Sequence, residues 1–364
     1  MTKVPYANLF RLYSKYKDSI DLRLKDCIEN SQFINGSQVN EFEKSLTNYF
    51  SKDSVGVASG TAAQQLSLLA CNIGPGDEVI VPSMTFFSTA ETVNQVGATP
   101  IFCDITIEDY NIDVDLVESL ITEKTKAIMP VDLYGQQANY LALRKICNKH
   151  NLFLIQDSAQ SFGSKQHNNP VGYYSDLSIH SFYPGKNLDC MGDGGGVTGK
   201  SELIEKIKLL KDHGRIEKYV HLQIGWNHRL DGIQAAVLNA KLPHINEMNN
   251  SRISSANYYL EKLKDTPLVL PKTQSYNTHV YNQFCVLYKN RDDLKLFLHN
   301  KGIDCGIQFP LGCHMQPAYK DYNCKLPVTE YVASTCLSLP VFPFMTNHEL
   351  DYVASSILEY FSLK

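Results

Sequence analysis

The middle of the chain alternates between brief apolar runs and longer stretches in which apolar positions recur every three to four residues. Runs at 78–82, 100–105, 127–132, 153–157 and 177–182 are short and bounded by turn residues, the pattern of buried strands. Between them, 61–71 places Leu66, Leu69 and Ala70 on one helical face, and 114–120 also reads as helix. Near-continuous apolar strands alternating with helices predict an α/β fold with a mostly parallel sheet covered on both sides. Such sheets bind ligands at the carboxyl ends of their strands. Later, Ile233, Ala236, Val237 and Ala240 fall at helical spacing, and Pro243 is expected to end or kink that helix near Leu242. A boundary just beyond it divides the chain into a large α/β domain, 1–245, and a smaller C-terminal α+β domain, 246–364. The latter carries a strand-like stretch at 281–288 and helices around 292–299 and 348–361.

Composition narrows the class. At 364 residues the chain exceeds an average single domain, and 43% hydrophobic with 20% charged residues is ordinary for a soluble globular protein. A net charge of -4 gives no electrostatic reason to expect nucleic acid. Ten cysteines without a CxxC pair read as small buried hydrophobes in a reducing compartment. The amino terminus has no basic-then-apolar leader and no apolar run reaches membrane-spanning length, so a cytoplasmic protein with no membrane partner is expected. There is no fixed-period repeat, no HExxH and no GxSxG. The eleven histidines show no ligand spacing, so no metal is expected and His180 and His213 read as structural or polar-network residues.

The candidate chemistry lies at the predicted strand ends. Ser59-Gly60-Thr61 opens a helix, which is either an ordinary cap or an anion site built from unpaired N–H groups and the positive end of the helix dipole. Phe86, in the loop after strand 78–82, is either core or a face for a planar ring. Asp157 ends a buried strand, where a charge needs a cationic partner such as a protonated pyridine nitrogen; the alternative is a solvent-facing acid. Gln160 can hydrogen-bond a phenolic oxygen. Lys186 follows the turn Pro184-Gly185 and is nucleophilic only if its amine is partly desolvated; an exposed lysine would serve nothing. Ser181 can take phosphate. An amine that forms an aldimine, an acid for a ring nitrogen, an amide for a ring oxygen and phosphate ligands are together the requirements of pyridoxal 5'-phosphate. The glycine segment 192–199 formally matches both GxGxxG and GxxxxGK[ST], but no clear strand precedes Gly194. It reads instead as a turn into a helix beginning near Ser201, with Ser201 as cap.

The chain resembles the DegT/DnrJ/EryC/StrS sugar aminotransferases, within the aspartate aminotransferase-like superfamily, almost end to end. The matching segments are Gln32-Phe33-Ile34-Asn35-Gly36 with Glu41-Phe42-Glu43, Ser59-Gly60-Thr61, Gly74-Pro75-Gly76-Asp77-Glu78-Val79-Ile80 and Asp157-Ser158-Ala159-Gln160. The lysine segment, Asn227-His228-Arg229-Leu230-Asp231 and Ser338-Leu339-Pro340 complete them. The resemblance implies the aspartate aminotransferase-like PLP-transferase fold, with Lys186 as the aldimine lysine, Asp157 facing the pyridine nitrogen, Gln160 near the phenolic oxygen and Phe86 on the ring. It implies Gly60, Thr61 and Ser181 at the phosphate, and Asn227 reaching that phosphate from the neighbouring subunit of a homodimer. Tyr183, Arg229 and His314 are the candidates on the substrate side.

By the same resemblance, L-glutamate donates an amino group to a nucleoside diphosphate-linked keto-deoxysugar, with pyridoxamine 5'-phosphate between the two half-reactions. The product is an amino sugar for surface polysaccharide, such as a lipopolysaccharide O-antigen, or for a glycosylated metabolite. Asp193, where many four-position enzymes carry glutamate, together with Tyr183-Pro184-Gly185-Lys186-Asn187-Leu188, favours amination at the third carbon; thymidine and uridine are both open as the nucleotide. Lys186 argues against the dehydratase branch, which has histidine there. A lyase on the same fold, a nucleotide-dependent enzyme using the glycine cluster and a non-catalytic PLP-binding regulator are the competing readings.

Overall fold

The structure, a computed structural model, describes residues 2–363. Its centre is a seven-stranded sheet built from β1 (Asp53–Val57), β2 (Glu78–Pro82), β3 (Thr99–Cys103), β4 (Thr125–Ile128), β5 (Phe153–Asp157), β6 (Leu177–Ser181) and β7 (Gly195–Gly199). The order across the sheet is β1-β7-β6-β5-β4-β2-β3. The pairs β2/β3, β2/β4, β4/β5 and β5/β6 are parallel, and β7 runs antiparallel to both of its neighbours.

Helices cover both faces because the strands are apolar on both. Val79 and Val81 of β2 join a core cluster with Ala63 and Leu66 of α3 (Gly60–Ala70) and with Ile204 and Ile207 of a later helix, Ser201–Leu210. Ile80, between them, points to the opposite cluster with Ile128, Leu154 and Leu143. Two-residue alternation between two dry faces is what a doubly covered sheet requires. Ahead of the sheet come α1 (Leu9–Glu29) and α2 (Ser37–Phe50); α4 (Ser88–Gln95) and α5 (Tyr140–His150) cross over between strands. After β7 come α6 (Ser201–Leu210), α7 (Gly232–Lys241) and α8 (Ile245–Leu263). Pro243 sits in a 3-10 turn, Leu242–His244, that joins α7 to α8, so the expected helix end falls within one residue of Leu242.

The C-terminal third pairs β8 (Phe284–Leu287) antiparallel with β9 (Cys336–Leu339), packed with α8, α9 (Arg291–Asn300) and α11 (Asn347–Ser362); α10 (Pro327–Thr335) precedes β9. Thr346 and Glu349 form a reciprocal capping box at the start of α11. The amino-terminal segment docks here as well: Val4 is fully buried in this cluster and pairs with Ile303. All ten cysteines are unpaired and eight are buried.

The glycine segment departs from expectation. It is not a turn: Gly195–Gly199 is a fully buried strand between β1 and β6, and α6 is capped by Lys200 rather than Ser201. Close approach explains the glycines, since a Cβ on Gly195 would lie 2.3 Å from the Ser59 carbonyl oxygen and one on Gly199 2.4 Å from that of Asp176.

Candidate active site

The carboxyl ends of β5 and β6, the start of α3 and the loop after β2 converge on one cavity of about 640 Å³. It is lined by Gly60, Thr61, Phe86, Asp157, Gln160, Ser181, Tyr183 and Lys186, so eight of the eleven expected site residues meet there.

Lys186 is placed by a tight turn. Gly185 takes φ +95°, Lys186 N–H donates to the Tyr183 carbonyl at 3.0 Å, and Gly185 N–H donates to Asp189 Oδ2 at 3.0 Å. Asp189 is itself locked by a buried ion pair with Lys241 at 2.7 Å. Asn187 donates to Asn249 Oδ1 at 2.7 Å and to the Val280 carbonyl at 3.0 Å, so the turn is anchored on both sides of the lysine. Burial pulls the Lys186 amine down to about 8, against a smaller opposing pull from Asp157.

Asp157 is almost completely buried and, among the described residues, has no ion-pair partner. Burial raises its carboxyl above the ordinary range. The Ala159 N–H at 3.1 Å, the Gln64 amide at 2.7 Å and the field of Lys186 act in the opposite direction. Gln64 is a functional residue that sequence reasoning missed. Its only signal was a polar side chain at a position of α3 that faces the sheet, where Ala63 and Leu66 are apolar. Beneath the site, His180 is held neutral by burial, down to about 3, between Ser158 at 3.0 Å and Thr198 at 3.1 Å, which fulfils its structural reading.

These residues fit pyridoxal 5'-phosphate. Gln160 accepts the Tyr134 N–H on Oε1 at 2.8 Å, which leaves its amide nitrogen for a ring oxygen. Ser59 caps α3 by accepting the Ala62 N–H at 3.0 Å, and the helix start leaves the N–H groups of Gly60 and Thr61 for an anion. A Cβ on Gly60 would stand 2.8 Å from that of Ser181, so glycine keeps the two phosphate candidates in contact. Phe86, 60% exposed, is a ring face open to a ligand rather than core.

Three expected residues lie outside the cavity of the single chain. Arg229 is ion-paired with Asp212 at 2.8 Å. Exposed Asn227 pairs in backbone register with Asp212, in a segment carrying the bare apolar side chains Ile216, Tyr219, Leu222 and Ile224. His314, expected near substrate, is instead buried with Nδ1 2.6 Å from Ser83 Oγ and Nε2 3.4 Å from Glu330, pinning the 313–315 turn to the end of β2. Sequence also missed part of the cavity wall: Tyr6, Arg252, Asn282, Gln308 and Phe309, which come together only through long-range folding.

An α/β sheet with a lysine, a buried acid and an anion cradle at its strand ends defines an aminotransferase-like cofactor site. The chain belongs to the DegT/DnrJ/EryC1/StrS aminotransferase family, whose profile matches residues 15–358. It is 38% identical over 359 residues to a UDP-N-acetyl-3-dehydro-alpha-D-glucosamine 3-aminotransferase of Acidithiobacillus ferrooxidans, covering 98% of this chain and 97% of that one. It is also 38% identical over 366 residues to a pleiotropic regulatory protein of Geobacillus stearothermophilus, covering 98% of each. Among solved structures, S. venezuelae DesV in complex with a ketimine intermediate superposes with a TM-score of 0.97 at 36% identity, over 99% of both chains.

Proposed function

We propose that this protein is a pyridoxal phosphate-dependent aminotransferase that moves an amino group from L-glutamate to the third carbon of a nucleoside diphosphate-linked keto-deoxysugar. The observation that carries the reading is the pairing of a desolvated Lys186 with a buried Asp157 in one cavity that also holds the anion cradle. When bound, the cofactor supplies an electrophilic carbon and an electron-withdrawing ring. Lys186 would hold the cofactor through Nζ, and an amine lowered to about 8 can accept and return a proton near neutral pH. Asp157 would keep a proton on the ring nitrogen, and the low-dielectric surroundings that raise its own carboxyl would strengthen that pairing. Gln160, Gly60, Thr61, Ser181 and Phe86 would orient the cofactor; Tyr183, which is exposed at the mouth, would meet substrate.

Amination at the third carbon is supported by the name of the Acidithiobacillus relative and by Asp193 in the cavity wall. The reading extends to a homodimer: the exposed apolar segment around Ile224, with Asn227 at its base, suits a partner whose cofactor phosphate Asn227 completes. It takes residues 1–245 and 246–364 as the two domains, and the product as an amino sugar made in the cytoplasm for surface polysaccharide or a glycosylated metabolite. No helix of the described residues is long and apolar enough to cross a membrane. A regulatory role is suggested by the name of the Geobacillus relative, but an intact lysine and acid favour turnover. The test is to load the enzyme with cofactor, add L-glutamate until the visible absorbance disappears, and then add a panel of keto-sugar nucleotides. NMR should place the new nitrogen at the third carbon; a fourth-carbon product overturns the position, and no spectral change with any amino donor overturns the enzyme.

A further inference from the structure

Asp132 follows β4 and is fully buried, and no part of the proposed chemistry uses it. Among the described residues no cation pairs with it; its oxygens meet donors only. Oδ2 accepts from Ser161 Oγ at 2.5 Å and from the Gln156 amide at 2.8 Å, and Oδ1 accepts the Ala138 N–H at 3.2 Å. Burial raises its carboxyl to about 7 against the pull of those donors. A buried acid without a counter-ion is costly, so its retention calls for a use.

Its bonds tie two segments together. The Ala138 bond closes the turn 132–138, in which Tyr134 takes φ +59° and Gly135 φ +115°, with the Leu133 N–H held by Asn111 at 3.0 Å. A bulky residue rarely adopts such a φ, and the turn keeps it only while its ends are held. From this turn the Tyr134 N–H donates to Gln160 Oε1 at 2.8 Å. The Ser161 bond grips the residue next to Gln160, and the Asp132 N–H donates to the Asp157 carbonyl at 2.9 Å. One carboxylate therefore sets both sides of the bond that orients the Gln160 amide.

We propose that Asp132 is a positioning residue for the cofactor: through the 132–138 turn and Ser161 it fixes the amide nitrogen of Gln160 toward the ring oxygen. This rests on the cofactor reading of the site. The test titrates the visible absorbance of cofactor-loaded enzyme against pH, with no amino donor present. A donor at the ring oxygen draws off negative charge and makes a proton beside it easier to lose, so a displaced Gln160 moves the midpoint to higher pH. In Asp132→Asn an amide nitrogen must face either the Ala138 N–H or the Gln156 amide, so one tie breaks, and the midpoint is expected to rise by roughly one unit. Gln160→Leu is expected to raise it as far, and adding Asp132→Asn to Gln160→Leu to raise it no further. A purely structural role would lower the thermal unfolding midpoint and leave the spectral one in place.

An unmoved spectral midpoint in Asp132→Asn, or shifts that add in the double variant, overturns the proposal. Should Asp132→Asn not fold, Ser161→Ala, which cuts only the grip beside Gln160, decides on the same terms. Enzyme that shows the shift but consumes no amino donor defeats the aminotransferase reading and leaves the positioning role standing; protein that takes up no cofactor overturns both.

Discussion

Replacing Gln64 by leucine separates the electrostatics of the site from its packing. The Gln64 amide donates to Asp157 at 2.7 Å, a bond to an ionised acceptor, for which about 1.5–3 kcal/mol is typical. Its Oε1 is buried without a partner, a burden of similar size that leucine removes. The two changes oppose each other, so the unfolding midpoint should barely move. The carboxylate does lose its donor. The Asp157 carboxyl, already raised by burial, should therefore climb further. Protonating Asp157 removes its hold on the ring nitrogen, so the acid limb of the pH profile should move to higher pH while the alkaline limb stays. Single-turnover reaction with L-glutamate across pH measures this, alongside thermal unfolding. An acid limb that does not move in a normally folded Gln64→Leu protein would refute the role given to the Gln64–Asp157 bond.

Further tests address the lysine, the cradle and the partner. Because burial holds the folded Lys186 amine at about 8 against 10.5 unfolded, the unfolded chain binds more protons between those values, and stability should rise with pH there. Relative to Lys186→Met, cofactor-free wild type should therefore gain up to about 3 kcal/mol by pH 10.5 in urea unfolding; a flat difference contradicts the desolvated amine. Gly60→Ala puts a methyl 2.8 Å from the Ser181 Cβ and should weaken cofactor binding roughly tenfold, measured by equilibrium titration. Ile224→Asp, at a side chain 87% exposed in the single chain, should convert a dimer to monomers in sedimentation and lower cofactor affinity through loss of the partner's Asn227; an unaffected dimer places the interface elsewhere.

Strands whose apolar side chains are their own signal were readable from sequence: β2 and β5 fall at the expected bounds, and the helix over α7 ends beside Pro243 as expected. The glycine strand β7 was not, because a strand without side chains has no hydrophobic period, and its cause, backbone approach to Ser59 and Asp176, is tertiary. Site residues carried by short local motifs, such as Asp157 and Gln160 or Gly185 and Lys186, came together in the cavity. Gln64, Tyr6 and Arg252 belong to no such motif; only folding brings them to the lysine, across more than 60 residues of chain in the case of Arg252. Asp189, which belongs to none of the motifs read from the sequence, clamps the lysine turn through Gly185 and Lys241.

The central claim is that the Lys186 amine carries the cofactor. Borohydride reduction of the cofactor-loaded enzyme, followed by peptide mass mapping, tests it most directly. The account predicts loss of the visible absorbance and a single pyridoxyl group on Lys186. An adduct on a different lysine, or none at all in protein that has bound cofactor, would contradict it.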